Sequence, residues 1–458
     1  MSNNGLSFVV GIILARLLTA EDYGITALPS IFIALSAVVI GGGFGTALIR
    51  KPEISEADLS TAFYYSFGMG LLMYACLFVA APWIADFYNT PVLTDLVRVT
   101  ALTFIWGALS TPQTVLLQRR LDFKTQARIS ITNNILGAGV GLTLAFMGYG
   151  LWSLVIMGVV SSFTSLIQKW LAVRWLPSAR WSKESFRYLW NFGNKLMASA
   201  FLDVGYNNLT PLIIGKFYSP ADLGIYNRAK GYACLPAQQG TGVIQQVTFP
   251  VLSKAQNDDE LLRNAYRKML KVSAFVIFPV MTMLSALAKP FIVILVTDKW
   301  IDSVLLLQII CFSMMWYPIH AINLSLLQVK GRSDLFLRLE IWKKVLGLTV
   351  MACTLPFGLV YFVAAGIASS LICLFINTYY TGKLINVGFG KQMRDLLPTF
   401  SLSLLIFAIV LIMNQFIHNL WLQLIIGGAV GVGVYIGAAI LLKLPELDDV
   451  KYMLSKRK

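Results

Sequence analysis

Apolar runs of about 20 residues recur from one end of the chain to the other, separated by short polar connections, and each is long enough to cross roughly 30 Å of hydrocarbon as a helix. Strand-like alternation is absent, which excludes a β-barrel. The runs fall at 6–18, 23–48, 59–85, 96–117, 129–147 and 151–173, then at 188–214, 223–247, 272–296, 304–327, 335–355 and 359–384, with two more at 397–417 and 420–442. This pattern predicts an all-α integral membrane protein of about 14 transmembrane helices. The first run is shorter than its counterpart at 196–218, so its start is expected to be truncated or misassigned.

The runs belong to a tandem repeat. Residues 13–25, ILARLLTAEDYGI, return as 213–225, IIGKFYSPADLGI, with Ile13, Asp22, Gly24 and Ile25 unchanged as Ile213, Asp222, Gly224 and Ile225, and Arg16 answered by Lys216. Further on, Trp106 is answered by Trp316, Leu116-Leu117-Gln118 by Leu326-Leu327-Gln328, and Gly150-Leu151 by Gly358-Leu359, at offsets between 200 and 210. The expected organisation is an N-lobe at 1–180 and a C-lobe at 181–390, each of six helices, followed at 391–458 by two extra helices and a basic tail. An even number of spans per copy makes these parallel repeats.

Composition sharpens this picture. With 57% hydrophobic residues, 13% charged and a mean hydropathy of +0.71, the chain is too apolar for a soluble globule. The net charge of +15 is scattered between spans rather than gathered on one surface, so no nucleic acid is expected. Basic residues fill every second connection, at 50–51, 119–128, 169–187, 254–271, 330–344 and 383–394, and the tail adds Lys451, Lys456, Arg457 and Lys458. The positive-inside rule then places those connections and both termini in the cytoplasm. The sequence NDDE at 257–260 predicts a short capped amphipathic helix on that face.

Candidate chemistry is sparse. No connection exceeds about 20 residues and no nucleophile triad or paired-carboxylate constellation stands out, so an enzyme, in particular a membrane polymerase or glycosyltransferase, is disfavoured. The five cysteines form no CxxC pair, and His320 and His418 are isolated, so neither disulfides nor a metal is expected. Glycines at 41–45 read as a helix end rather than a phosphate loop, because no Lys-Ser/Thr follows. The pairs Gly137/Gly141, Gly427/Gly431 and Gly433/Gly437 read as close helix packing.

Polar residues at membrane depth are the informative class, because each is costly in lipid. Arg16 and Lys216 sit at equivalent ends of the first and seventh helices, Arg228 and Lys230 lie in the eighth, and Asp203, Tyr206, Asn207 and Asn208 lie midway along the seventh. On one reading Arg16 and Lys216 snorkel outward and pair with Asp22 and Asp222. On the other, repeat symmetry gathers these cations around a central cavity, with Pro29 and Pro236 marking bends in the second and eighth helices. Asp203 is either a Na+ or H+ coupling site or one half of a salt bridge.

The segments ILARLLTAEDYG near the start, LLQRRLDF at 116–123, IGKFYSPADLGIYNRAKGYACLPAQQ at 214–239 and VTFPVLSK at 247–254 resemble polysaccharide transporters of the multidrug/oligosaccharidyl-lipid/polysaccharide superfamily. Within it they are similar to Wzx-type flippases near the colanic-acid and teichuronic-acid exporters. The resemblance implies a two-lobed, MATE-like bundle working by alternating access in the bacterial inner membrane. It implies a cargo of oligosaccharide on a polyprenyl-pyrophosphate carrier, exported for O-antigen, capsular or exopolysaccharide, with a polymerase and chain-length proteins as partners. The helices hold more cations than acids, which favours anionic cargo over the organic cations of drug-exporting relatives. A lipid II flippase remains an open alternative.

Overall fold

Helices form along the apolar runs and end where a cap or a glycine ends them. In this computed structural model residues 2–449 are described, with side chains from Gly5 onward, and the basic tail at Lys451, Lys456, Arg457 and Lys458 lies outside the described residues. Among the described residues the secondary structure is helical throughout, without a strand. The chain forms two compact units that divide between Gly224 and Ile225.

The first unit holds α1 (Ser2–Leu17), α2 (Ala20–Ala27), α3 (Ser30–Gly41), α4 (Phe44–Arg50), α5 (Glu56–Tyr88), α6 (Leu93–Leu109), α7 (Thr111–Arg119), α8 (Phe123–Phe146), α9 (Leu151–Val173) and α10 (Lys183–Phe217). It ends in the first residues of α11 (Pro220–Lys254). Between α3 and α4, Gly42 and Gly43 take φ of +52° and +72°, and a Cβ at Gly43 would lie 2.5 Å from the Gly193 carbonyl of α10. The glycines therefore make a turn against which α10 packs directly. Around it Phe44, Ala47, Leu48, Leu59, Ala62, Val115 and Leu189 form one core, while Val10, Leu14, Leu18, Ala138 and Ala145 join α1 to α8. The basic connections have work inside the fold: the Arg119 guanidinium donates to the carbonyls of Leu48 (3.0 Å) and Pro52 (2.7 Å), satisfying the end of α4.

The second unit continues α11 and adds α12 (Asp259–Ala286), α13 (Ala288–Val296), α14 (Ser303–Met314), α15 (Tyr317–Val329), α16 (Ser333–Thr354), α17 (Leu359–Ile385), α18 (Phe389–Phe416) and α19 (Leu420–Leu441). The short amphipathic helix expected at 257–270 is the first part of α12, capped where Asp258 accepts from the amides of Glu260 (2.9 Å) and Leu261 (3.0 Å). Nothing breaks the helix between its amphipathic and apolar parts, so they form one rod. A core of Phe275, Ala286, Leu287, Leu402, Ile406, Val410, Tyr435 and Ala439 joins α12, α18 and α19. Beside it the Gln392 amide donates to Tyr266 (3.0 Å), Thr381 (3.0 Å) and Asn323 (3.2 Å), a buried polar network with its groups paired.

Taking α2–α4 as one span and α14–α15 as another, nine helical segments among the described residues are long and apolar enough to cross a membrane, and ten if α6 and α7, bent by 49°, also count as one. The chain is therefore a multi-pass membrane protein. Helices also occupy the other four expected spans, but α1 is short, and α10, α11 and α16 carry too many polar residues to pass on hydropathy. Of the small-residue pairs, Gly137 packs against Ser161 and Met157 of α9, and Gly427 and Gly431 receive Leu287 and Met283. Gly433 and Gly437 were expected to pack likewise and meet nothing within 4 Å, because they face away from α18.

Candidate functional site

The repeated motif places two helix starts side by side in the first unit. Thr19 and Asp22 form a capping box at the start of α2: the Asp22 amide donates to Thr19 Oγ1 (3.1 Å) and the Thr19 amide to Asp22 Oδ2 (2.9 Å). Ser219 and Asp222 repeat it at α11 with distances of 3.0 and 3.1 Å. A Cβ on Gly24 would lie 1.6 Å from the Pro220 carbonyl, and one on Gly224 would lie 1.9 Å from the Ala20 carbonyl. The contact is reciprocal, residue for residue, as a pseudo-twofold relation between the motif copies requires. Asp22 and Asp222 thus serve helix amides, and their glycines permit backbone contact.

The cations of the motif differ. Arg16 is exposed on the last turn of α1. Lys216, half-buried, donates to the Phe87 carbonyl and lies 4.4 Å over the Phe87 ring. This completes the C-terminus of α5, whose Ala85, Asp86 and Tyr88 carbonyls accept from the Thr90 amide (2.9 Å), the Asn89 amide (3.1 Å) and Thr90 Oγ1 (3.1 Å). In the second unit the Arg228 guanidinium stacks 5.0 Å from the ring of Trp300, which is fully buried, and 5.7 Å from Tyr232. Lys230 lies 5.5 Å over Tyr226. These are cation–π contacts.

The middle of α10 carries a polar face. Asn191, Lys195, Ser199, Asp203 and Asn207 are all exposed, and they recur at every fourth position. Asn207 donates to the Asp203 carboxylate (3.2 Å), the half-buried Asn208 donates back to the Val204 carbonyl (2.8 Å), and Tyr206 is half-buried beside them. On α11 the exposed polar residues are Gln238, Gln239, Gln246 and, at its last position, Lys254. Asn191, Lys195, Ser199 and these three glutamines are absent from the sequence-derived site, although the spacing of four along α10 announces them. Polar side chains exposed at membrane depth belong against water or a polar ligand rather than lipid. Pro29 lies at the break between α2 and α3, whereas α11 remains helical through Pro236. His320 bonds to Ser370 (3.1 Å) and Asn377 (3.0 Å), and no group of three or more His, Cys, Asp or Glu side chains suited to a metal occurs among the described residues.

Comparison with known proteins adds to this geometry. The sequence model of the family described as "Polysaccharide biosynthesis protein" matches residues 13–305. The teichuronic acid biosynthesis protein TuaB of Bacillus subtilis is 26% identical over 87% of this chain and 84% of its own length. The lipopolysaccharide biosynthesis protein WzxC of Escherichia coli is 25% identical over 75% of this chain and 70% of its own. Among solved structures, the lipid II flippase MurJ in an inward closed conformation superposes with a TM-score of 0.75, covering 96% of this chain and 98% of its own at 14% identity. An inward-facing multidrug resistance MATE transporter gives 0.64, covering 84% of this chain and 95% of its own at 14% identity. The fold is that of the MATE-like transporters.

Proposed function

Because the chain belongs to the polysaccharide biosynthesis protein family, we propose that it is a flippase. Its cargo is oligosaccharide carried on polyprenyl pyrophosphate, moved by alternating access from the cytoplasmic to the outer leaflet of a bacterial inner membrane for surface-polysaccharide export. The polar face of α10 is the observation that carries this reading. A sugar chain with a pyrophosphate cannot cross about 30 Å of hydrocarbon unaided, because each unpaired polar group there costs several kcal/mol. Amides and hydroxyls spaced along a 35-residue helix supply replacement hydrogen bonds, while the polyprenyl tail stays in lipid.

Within this proposal Arg16 is the first candidate for the pyrophosphate, because its guanidinium is exposed and can fork onto phosphate oxygens. Lys216 adds positive potential from its place on Phe87, and Arg228 and Lys230 act on α11 together with its glutamines. Tyr206, Asn207 and Asn208 contact sugar. Asp203 is the coupling residue for Na+ or H+. The chain acts without catalysis, with both termini cytoplasmic, and hands its cargo to a polymerase and chain-length proteins. In cells stripped of their own flippase, the chain is expected to restore surface polysaccharide. The Asp203→Asn variant is expected to restore it without the normal dependence on the ion gradient. Accumulation of surface polymer no different from the empty vector would reject the cargo, and unchanged gradient dependence in the variant would reject the coupling role.

A further inference from the structure

The first turns of α12 and the segment that follows α19 border an open cavity of about 250 Å³ whose lining includes Asn264, Arg267, Lys268, Lys271, Glu446 and Asp449. Its depth follows from the sequence. On α12 the charges stop at Lys271 and the apolar run begins at Val272, while the apolar run of α19, from 424 to 442, ends at Lys443 before Pro445 and Glu446 follow. Both boundaries meet at the cavity, so it lies at headgroup level. On its apolar side Val276 of α12 and Ile436 and Ile440 of α19 are exposed, a surface for acyl chains.

Of its charged groups, Lys271 and Glu446 are held least tightly. Arg267 is held by both oxygens of Asp395, at 2.6 Å each, and Lys268 is paired with Asp449. Lys271 stands 3.8 Å from Asp395 and 3.9 Å from Glu446, close enough for an ion pair and too far for a hydrogen bond. Glu446 is only 5% exposed, yet its Oε2 has no hydrogen-bond partner among the described residues. A buried carboxylate oxygen in that state calls for a donor, and Lys271 calls for an acceptor. Among the described residues the cations Arg267, Lys268 and Lys271 are matched by the carboxylates of Asp395, Glu446 and Asp449, so a ligand that carries both charges keeps this group neutral.

We infer that this cavity binds a phosphoethanolamine lipid headgroup, with the phosphate on Lys271 and Lys268 and the primary ammonium on Glu446. Choline lacks the N–H that Glu446 needs. Phosphatidylglycerol brings hydroxyl donors but adds one uncompensated negative charge beside Glu446 and Asp449.

The test uses full-length protein in detergent, with lipids added as mixed micelles and bound lipid counted by mass spectrometry of the intact protein. Phosphatidylethanolamine is expected to occupy one saturable site at least tenfold more tightly than phosphatidylcholine or phosphatidylglycerol. Glu446→Gln and Lys271→Gln are each expected to weaken that binding at least tenfold, and Lys268→Gln, at a half-exposed residue, severalfold without a folding defect. Equal retention of the three lipids, or unchanged binding in the folded variants, would overturn the inference. Free phosphoethanolamine binding as tightly as the lipid would overturn the lipid source and make the ligand a soluble one.

Discussion

The segments 13–25 and 213–225 share a sequence motif but use its positions differently. The repeated residues, Asp22 with Asp222 and Gly24 with Gly224, hold helix amides and allow two backbones to meet. The residue that changes, Arg16 against Lys216, is exposed in one copy and bound to Phe87 in the other. What recurs within this chain builds the fold. What diverges is where the copies are able to take on separate roles, and Arg16 is the exposed one of the two cations.

Substitutions at the two glycines should have the largest effect. Valine at Gly224 sets a Cβ 1.9 Å from the Ala20 carbonyl, and valine at Gly24 sets one 1.6 Å from the Pro220 carbonyl. Backbone cannot rotate aside as a side chain does, so the cost is at or above the roughly 1–3 kcal/mol of ordinary overpacking. Thermal unfolding in detergent should show either variant strongly destabilised or absent. Gly139→Ala, inside α8 with open space at its Cβ, should match the parent or gain up to about 1 kcal/mol, and equal melting for all three variants would refute the contact.

A smaller effect separates the cations. Lys216→Gln removes a charged donor from the α5 terminus and should cost about 1–2 kcal/mol in unfolding free energy. Arg16→Gln, at an exposed residue, should cost less than about 1 kcal/mol. If the two variants lose the same stability, the distinction between their roles fails.

The smallest effect is at the connection that follows the LLQ segments. Copy two uses Gly331 at φ +67°, while copy one has exposed Leu121 at φ +52°. A left-handed leucine costs about 1 kcal/mol, so Leu121→Gly should gain several tenths of a kcal/mol after the added freedom of the unfolded chain, and Gly331→Ala should lose about 1 kcal/mol. Chemical denaturation resolves the sign, and a destabilised Leu121→Gly would contradict the shared backbone conformation.

The helical class and the repeat were legible because apolar length and internal recurrence are properties of sequence alone. The site was less so. Asp22 and Asp222 suggested partners for the neighbouring cations, but Thr19 and Ser219 three residues earlier spell a capping box, and local amides held by the helix win over a flexible side chain. Lys216 finds Phe87, 129 residues away, through packing that no local pattern encodes. The spacing of Asn191, Lys195 and Ser199 was readable, yet these residues sit among enough polar neighbours to lower the apolar signal of α10 itself. Gly433 and Gly437 show the opposite error, since a small-residue spacing marks a possible contact and the orientation of α19 decides whether it is made.

In the proposed function the chain moves a lipid-linked anion with the help of Arg16. The direct measurement is translocation of fluorescent polyprenyl-pyrophosphate-linked oligosaccharide in proteoliposomes, read as the fraction that becomes accessible to a membrane-impermeant quencher on the far side. The parent chain should move it, Arg16→Gln should slow it at least tenfold while remaining folded, and Arg16→Lys should recover part of the rate because the charge returns without the fork. Translocation by Arg16→Gln at the parental rate would contradict the role of Arg16, and no translocation by the folded parent chain would contradict the cargo.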